Sequence, residues 1–185
     1  MRVKELIVVI FVLALSGCAQ PPPLNFSVPD VGASKTKIDA EVKTITVTMA
    51  TPDEANGDMP SWIDINTTNL WKESLQEAID RMAIFKDDSS NKISIQVKIL
   101  ALDIPAMGAS FTTKSVARYE IINRSNGAIV YTQDVSAEGF VPASYAFPGV
   151  TRAWESVNRS ASNNIKQFVQ ALETAGINKS LFPAR

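Results

Sequence analysis

The 185-residue chain has no histidine and a single cysteine, Cys18. Without imidazole or a second thiol it cannot build a Ser-His-Asp triad, a Cys-His pair or a His/Cys zinc site. The segment after Cys18 has no disulfide to staple it. Only carboxylate, Lys, Tyr or Ser chemistry remains, so the expectation is a non-enzyme with no metal and no cofactor. An excess of one charge is also missing: 18 Lys and Arg face 19 Asp and Glu, for a net charge of −1. With no basic block, nucleic acid is not an expected partner. Long apolar runs are lacking as well. The run Leu6–Leu15 has ten residues, well short of the roughly 20 needed to span a bilayer.

What stands around that run is informative. Arg2 and Lys4 precede it and small residues follow, the layout of a signal peptide over residues 1–17. The tetrad Leu15-Ser16-Gly17-Cys18 resembles the lipobox of bacterial lipoproteins. In that family the segment before the cysteine is removed, the sulfur receives a diacylglycerol and the new amino terminus is acylated. The resemblance implies lipidation at Cys18 and a membrane held through several acyl chains, each buried CH₂ contributing about 0.8 kcal/mol. Ala19 stands where inner-membrane lipoproteins of enteric bacteria carry Asp. By that resemblance the expected place is the outer membrane, with the domain facing the periplasm. Residues 18–42 open with Ala19-Gln20 and Pro21-Pro22-Pro23 and read as a tether. At about 3.1 Å per residue in polyproline II, such a segment would hold the domain roughly 60 Å from the membrane.

Residues 43–185 read as a single α+β domain. Lys43–Met49 alternates Ile45, Val47 and Met49 with threonines, a half-buried strand. Residues 68–85 place Trp71, Leu75, Ala78, Met82 and Phe85 at helical spacing. Lys92–Asp103 alternates cleanly, with Leu100 and Leu102 predicting cover on both faces at its far end. A strand follows over 112–123, although residues 112–118 alternate poorly. Asn126-Gly127 predicts a hairpin turn into a strand from 128 to 135 or as far as 140. The last helix carries Trp154, Val157, Ala161, Ile165, Phe168 and Leu172 on one stripe, with Gly176 as its terminator. The order β-α-β-β-β-α predicts a two-layer sandwich: a four-stranded, mostly antiparallel sheet with two helices on one face.

Catalytic motifs are thin. Gly108–Ser115 approaches a phosphate-binding loop, but Thr113 replaces its second glycine and strand pattern follows where a helix should open. Ser110 or Ser115 with Lys114 lacks a nucleophile elbow. Asp87-Asp88 sits in a turn, and the acids at 53, 54 and 58 lack calcium-loop spacing.

Topology singles out one edge. A right-handed β-α-β crossover makes its two strands parallel, so the loops near residues 51–67, 104–111 and 139–149 leave the sheet at the same end. They carry Met59, Trp62 and Ile63; Ile104, Met107 and Phe111; and Phe140, Val141, Tyr145 and Phe147. These ten residues are the candidate partner- or lipid-binding set, on prolines that stiffen their loops. The other reading is that they fold back and plug the core.

The strand order, the helix opening Trp71-Lys72-Glu73-Ser74-Leu75, the hairpin Tyr119–Gly139 and the lipobox resemble small envelope lipoproteins. The similarity, over residues 43–173, is to the ABC-transport auxiliary lipoproteins and to the lipopolysaccharide-assembly lipoprotein fold. It implies a non-enzymatic accessory or binding subunit of a transport or envelope-assembly complex, with an envelope protein, or a lipid, as partner. The alternative is a structural or regulatory lipoprotein that contacts peptidoglycan or a cell-wall synthase. Ser160, Ser162, Asn163 and Asn164 would supply it a polar face, and their plainer reading is a solvated one.

Overall fold

The computed structural model describes residues 23–60 and 65–178, the side chains of Ile65 and of residues 176–178 excepted. Cys18, the segment before it, Trp62 and Ile63 lie outside the described residues. The elements are β1 (Glu41–Met49), α1 (Ile65–Met82), β2 (Lys92–Asp103), β3 (Phe111–Asn123), β4 (Ile129–Val141) and α2 (Gly149–Asn178). They follow the predicted order β-α-β-β-β-α. The strands form one sheet in the order β1-β2-β3-β4. β1 runs parallel to β2 while β2–β3 and β3–β4 are antiparallel, so the sheet is mixed and mostly antiparallel.

Alternation sorts the sheet into two faces. Ile93, Ile95, Val97 and Ile99 of β2, with Ala117, Tyr119 and Ile121 of β3, are buried beneath the helices. Gln96, Arg118, Asp134 and Glu138 are exposed on the helix-free face. At the end of β2 the alternation stops, and Leu100, Ala101 and Leu102 are all buried. Two causes combine there: a register shift between Ile99 and Ala101, and the loop after β1, which bonds along β2. Asn56 N–H donates to Leu100 O at 3.1 Å and Leu102 N–H to Asp58 O at 2.8 Å. Cover on both faces is thus the work of a loop. An ion pair helps hold that loop. Lys98 and Thr51 keep the Glu54 carboxyl at about 2, below its ordinary 4.5. Its contribution is fully present above pH 4.5 and is lost as pH falls through about 2. A carboxyl titration by NMR should therefore find Glu54 still ionised at pH 3.

Boundaries differ from the sequence reading in physically explicable ways. α1 ends at Met82 rather than at 85 because Ala83 turns left-handed, with φ of 47°. Ala83→Gly, removing the Cβ penalty of that conformation, should stabilise the domain by about 1 kcal/mol in denaturant titrations. The β3–β4 connection is a five-residue loop in which Gly127 has φ of 74°, and Asn123 N–H closes it on Ala128 O at 2.8 Å. It is longer than the tight two-residue turn expected. Gly176 lies inside α2 and does not terminate it.

The largest departure concerns the expected tether. Among its described residues, Phe26, Val28, Val31, Ile38 and Ala40 are buried. The chain lies as a strap in the groove between α1 and α2. Phe26 meets Trp71 edge-on at 5.9 Å between ring centroids. Ser27 bonds Glu77 of α1 and, through its carbonyl, Ser162 of α2. Ser34 N–H donates to Met82 O at 2.8 Å. Glu173 accepts from Ser34 and from the Lys35 amide. Irregularly spaced apolar residues dock this segment, Phe26, Val28 and Val31 near its start and Ile38 and Ala40 near its end.

Candidate functional site

The three loops do leave the sheet at one end, because β1 and β2 are parallel and β4 returns antiparallel to β3. The eight described residues of the ten expected there divide by burial. Phe111 and Val141 are buried. Both belong to strands, paired with each other across β3 and β4, and their side chains point inward, so neither is available to a partner. Met59 and Ile104 are partly buried and pack on the core. Met107, Phe140, Tyr145 and Phe147 are exposed, Phe147 to 99% and Met107 to 85%. Val150, in the first turn of α2, is exposed beside them and was not anticipated. It follows a proline-glycine pair, so its apolar character reads from sequence as the start of the helix stripe.

Two arginines of α2 fix the loop between β4 and α2. Arg152 donates to the carbonyls of Ala146 and Phe147, the latter at 2.8 Å, and its guanidinium lies 5.8 Å from the Phe111 ring centre. Arg159 donates to Phe140 O at 2.9 Å and covers the Tyr145 ring at 5.2 Å. Held this way, Phe147 keeps its ring in solvent without loss of order in its backbone. A surface organised before contact loses less entropy on binding.

Beneath the edge runs a buried polar seam. Ser156, Ser160 and Asn164 recur every four residues on α2 and are fully buried, facing Thr113 and Ser115 of β3. The Thr113 and Ser156 hydroxyls are 2.6 Å apart. Ser160 Oγ donates to Ser115 Oγ at 2.8 Å. Trp71 Nε1 donates to the Tyr119 hydroxyl at 3.1 Å, which donates to Asn164 Oδ1 at 2.8 Å. Asn164 Nδ2 in turn donates to Val135 O at 3.0 Å. Burial pushes the Tyr119 phenol upward from its ordinary value, with the Trp71 N–H acting in the other direction. Each member of this chain has its partner, which makes the seam structural. It also removes the solvated face expected of residues 160–164. Ser160 and Asn164 are inside, Ser162 holds the strap, and Asn163 bonds Glu138 O at 2.8 Å. Asn164→Ala should cost about 2–4 kcal/mol of unfolding free energy, since it leaves the Tyr119 hydroxyl proton without its acceptor and removes the bond to Val135 O.

No catalytic constellation forms from the remaining candidates. Ser115 is buried against α2 while the neighbouring Lys114 is exposed on the opposite face of β3, so Ser115 and Lys114 do not form a Ser-Lys pair. The phosphate-loop lookalike runs from residue 108 into the start of that same strand, with no helix after it. Among the described residues no cluster of His, Cys, Asp or Glu is placed to hold a metal.

No protein-family model matches the chain, and no curated protein matches it. Solved structures share its fold. A Xanthomonas campestris protein of the DUF330 family is 9% identical with a TM-score of 0.56, over 88% of this chain and 99% of that one. A hypothetical protein from Chlamydia trachomatis is 10% identical with a TM-score of 0.52, over 76% of this chain and 99% of its own. A lipoprotein from Neisseria meningitidis aligns at 10% identity with a TM-score of 0.42, over 76% and 99%. At such identities the first two structures show one thing in common with this chain: a β-α-β-β-β-α sandwich.

Proposed function

We propose that this protein is a lipid-anchored, non-enzymatic lipoprotein of the bacterial envelope, held at the outer membrane through Cys18. It serves as an accessory or binding subunit of a transport or envelope-assembly complex. The observation that carries the reading is the exposed apolar edge, where Met107, Tyr145 and Phe147 of the loops and Phe140 at the end of β4 stand in solvent. Clustered exposed apolar side chains of this kind mark contact surfaces. The non-enzymatic part is supported by the lack of histidine and by Ser115 and Lys114 lying on opposite faces of β3.

Photoreactive residues at Met107, Phe140 and Tyr145, introduced singly in intact cells, test this. Adducts from several of these positions to one envelope component support a working edge; adducts from none of them reject it. The double substitution Met107→Ser, Phe147→Ser should abolish those contacts yet change stability by no more than about 0.5 kcal/mol, because both side chains are exposed.

A second reading, contact with peptidoglycan, draws support from the helix-free sheet face. There Thr46, Thr48, Gln96, Lys98, Arg118 and Glu120 line a shallow polar groove. Sedimentation with purified sacculi, and its loss in Gln96→Ala, would favour that reading.

A further inference from the structure

The strap constrains more than the core. It runs along α2 in the direction of the helix: Asn25 meets Asn158, Ser27 meets Ser162, Asp30 pairs with Lys166 and Ser34 meets Glu173. Followed backwards from Ser34 to Asn25, the strap therefore runs toward the first turn of α2, which is the end where the loops emerge. Cys18 precedes Asn25 by seven residues, a reach of at most about 25 Å. From Asn158 to the start of α2 at Gly149 is about 14 Å along the helix, and to its other end at Asn178 about 30 Å. An anchor at Cys18 thus reaches the plane of the loops with about 10 Å to spare and falls short of the opposite end.

The chemistry of the surface agrees with the reach. Of the six exposed large hydrophobics among the described residues, five lie at this edge: Met107, Phe140, Tyr145, Phe147 and Val150. The outer face of α1, by contrast, presents Lys72, Glu73, Gln76, Glu77, Asp80 and Arg81, and the sheet face presents Gln96, Arg118, Asp134 and Glu138, with Phe140 only at its loop end. No other described surface that the anchor can bring to a membrane is apolar.

Resting on the lipoprotein reading above, we infer that the occupant of the loop edge is the bilayer that holds this protein's own anchor. Phe147 and Met107 enter the region between headgroups and acyl chains, with Tyr145 and Phe140 at headgroup depth. The Arg159 guanidinium, stacked on Tyr145, lies where its charge stays hydrated. The domain then stands on its loops, with the long axis of the strands near the membrane normal and the Gly127 hairpin pointing away.

The test uses the full chain, expressed and processed in cells. The mass of its amino-terminal peptide reports lipidation. Single cysteines at Met107, Phe147, Thr46 and Ser125 are labelled with an environment-sensitive dye, and the protein is placed in vesicles of phosphatidylethanolamine and phosphatidylglycerol. Lipids brominated on their acyl chains should quench the dye at 107 and 147 and leave it unchanged at 46 and 125. A lipidated protein whose dyes at 107 and 147 escape quenching overturns the inference while leaving the anchor reading intact. Crosslinks between two copies, or to a co-purifying protein, through unquenched 107 and 147 would assign the edge to that occupant instead. An unmodified Cys18 would overturn both.

Discussion

Replacing Gly139 with alanine should destabilise the domain by about 3 kcal/mol or more, and with valine should prevent folding. Gly139 faces inward near the end of β4, opposite Thr113. A Cβ built there would sit 2.1 Å from Ser156 O and 2.3 Å from Ser160 N. Both are backbone atoms of α2, so no rotamer change relieves the clash. The helix must retreat, and in doing so it lengthens the Ser160–Ser115 and Asn164–Val135 hydrogen bonds that the close approach permits. The cost therefore exceeds that of inserting one methyl group. Urea titration of Gly139→Ala checks it; a loss under about 1 kcal/mol would mean that α2 shifts freely on the sheet. Gly108 offers a comparison, since a Cβ there would meet Ser110 O of its own loop at 2.7 Å. That conflict is local, and Gly108→Ala should disturb only the β2–β3 loop.

The same seam explains where sequence reasoning succeeded and where it stopped. β2 was legible to its ends because Ile93 through Ile99 alternate without exception, and one side of it faces a purely apolar core. The start of β3 reads poorly for the opposite reason: its inward positions are Thr113 and Ser115, polar residues at core sites, buried against Ser156, Ser160 and Asn164. Period-two hydrophobicity cannot register a strand whose inner face is made of hydroxyls. The signal was present in another form. Small polar residues at 156, 160 and 164 share one helix face, and a glycine stands on the facing strand; together they mark a close helix–sheet contact. At the loop edge, convergence followed from topology, but exposure did not. Val141 and Phe147 are both apolar residues flanking prolines, and only the length of β4 decides that one is core and the other is solvent-facing. The strap is not legible in the sequence, because its apolar residues are too irregularly spaced for helix or strand and the proline run signals extension alone.

That strap carries the second large effect. Phe26 is completely buried and packs edge-on against Trp71, so Phe26→Ala should remove about 3–5 kcal/mol of packing. The energy is expected to be lost from the strap first. The sheet keeps its own core of Ile95, Tyr119, Ile121 and Phe168, all fully buried, while over residues 24–37 the strap's remaining anchors are Val28, Val31, the Asp30–Lys166 pair and the hydrogen bonds of Asn25, Ser27 and Ser34 to the two helices. Hydrogen exchange should therefore accelerate over residues 24–37 in the variant, with little change at the amides of β2 and β3. Equal loss of protection in both regions would show instead that the strap and sheet unfold as one unit. The consequence at the membrane follows from chain length. Freed as far as Lys37, the segment from Cys18 becomes about 20 residues long and spans up to roughly 70 Å. The domain then takes any orientation, and the dye at position 147 should lose its quenching by brominated lipid even though the lipid anchor is untouched. On the proposed arrangement, it is the docked strap, and not lipidation alone, that would turn the apolar loops toward the bilayer.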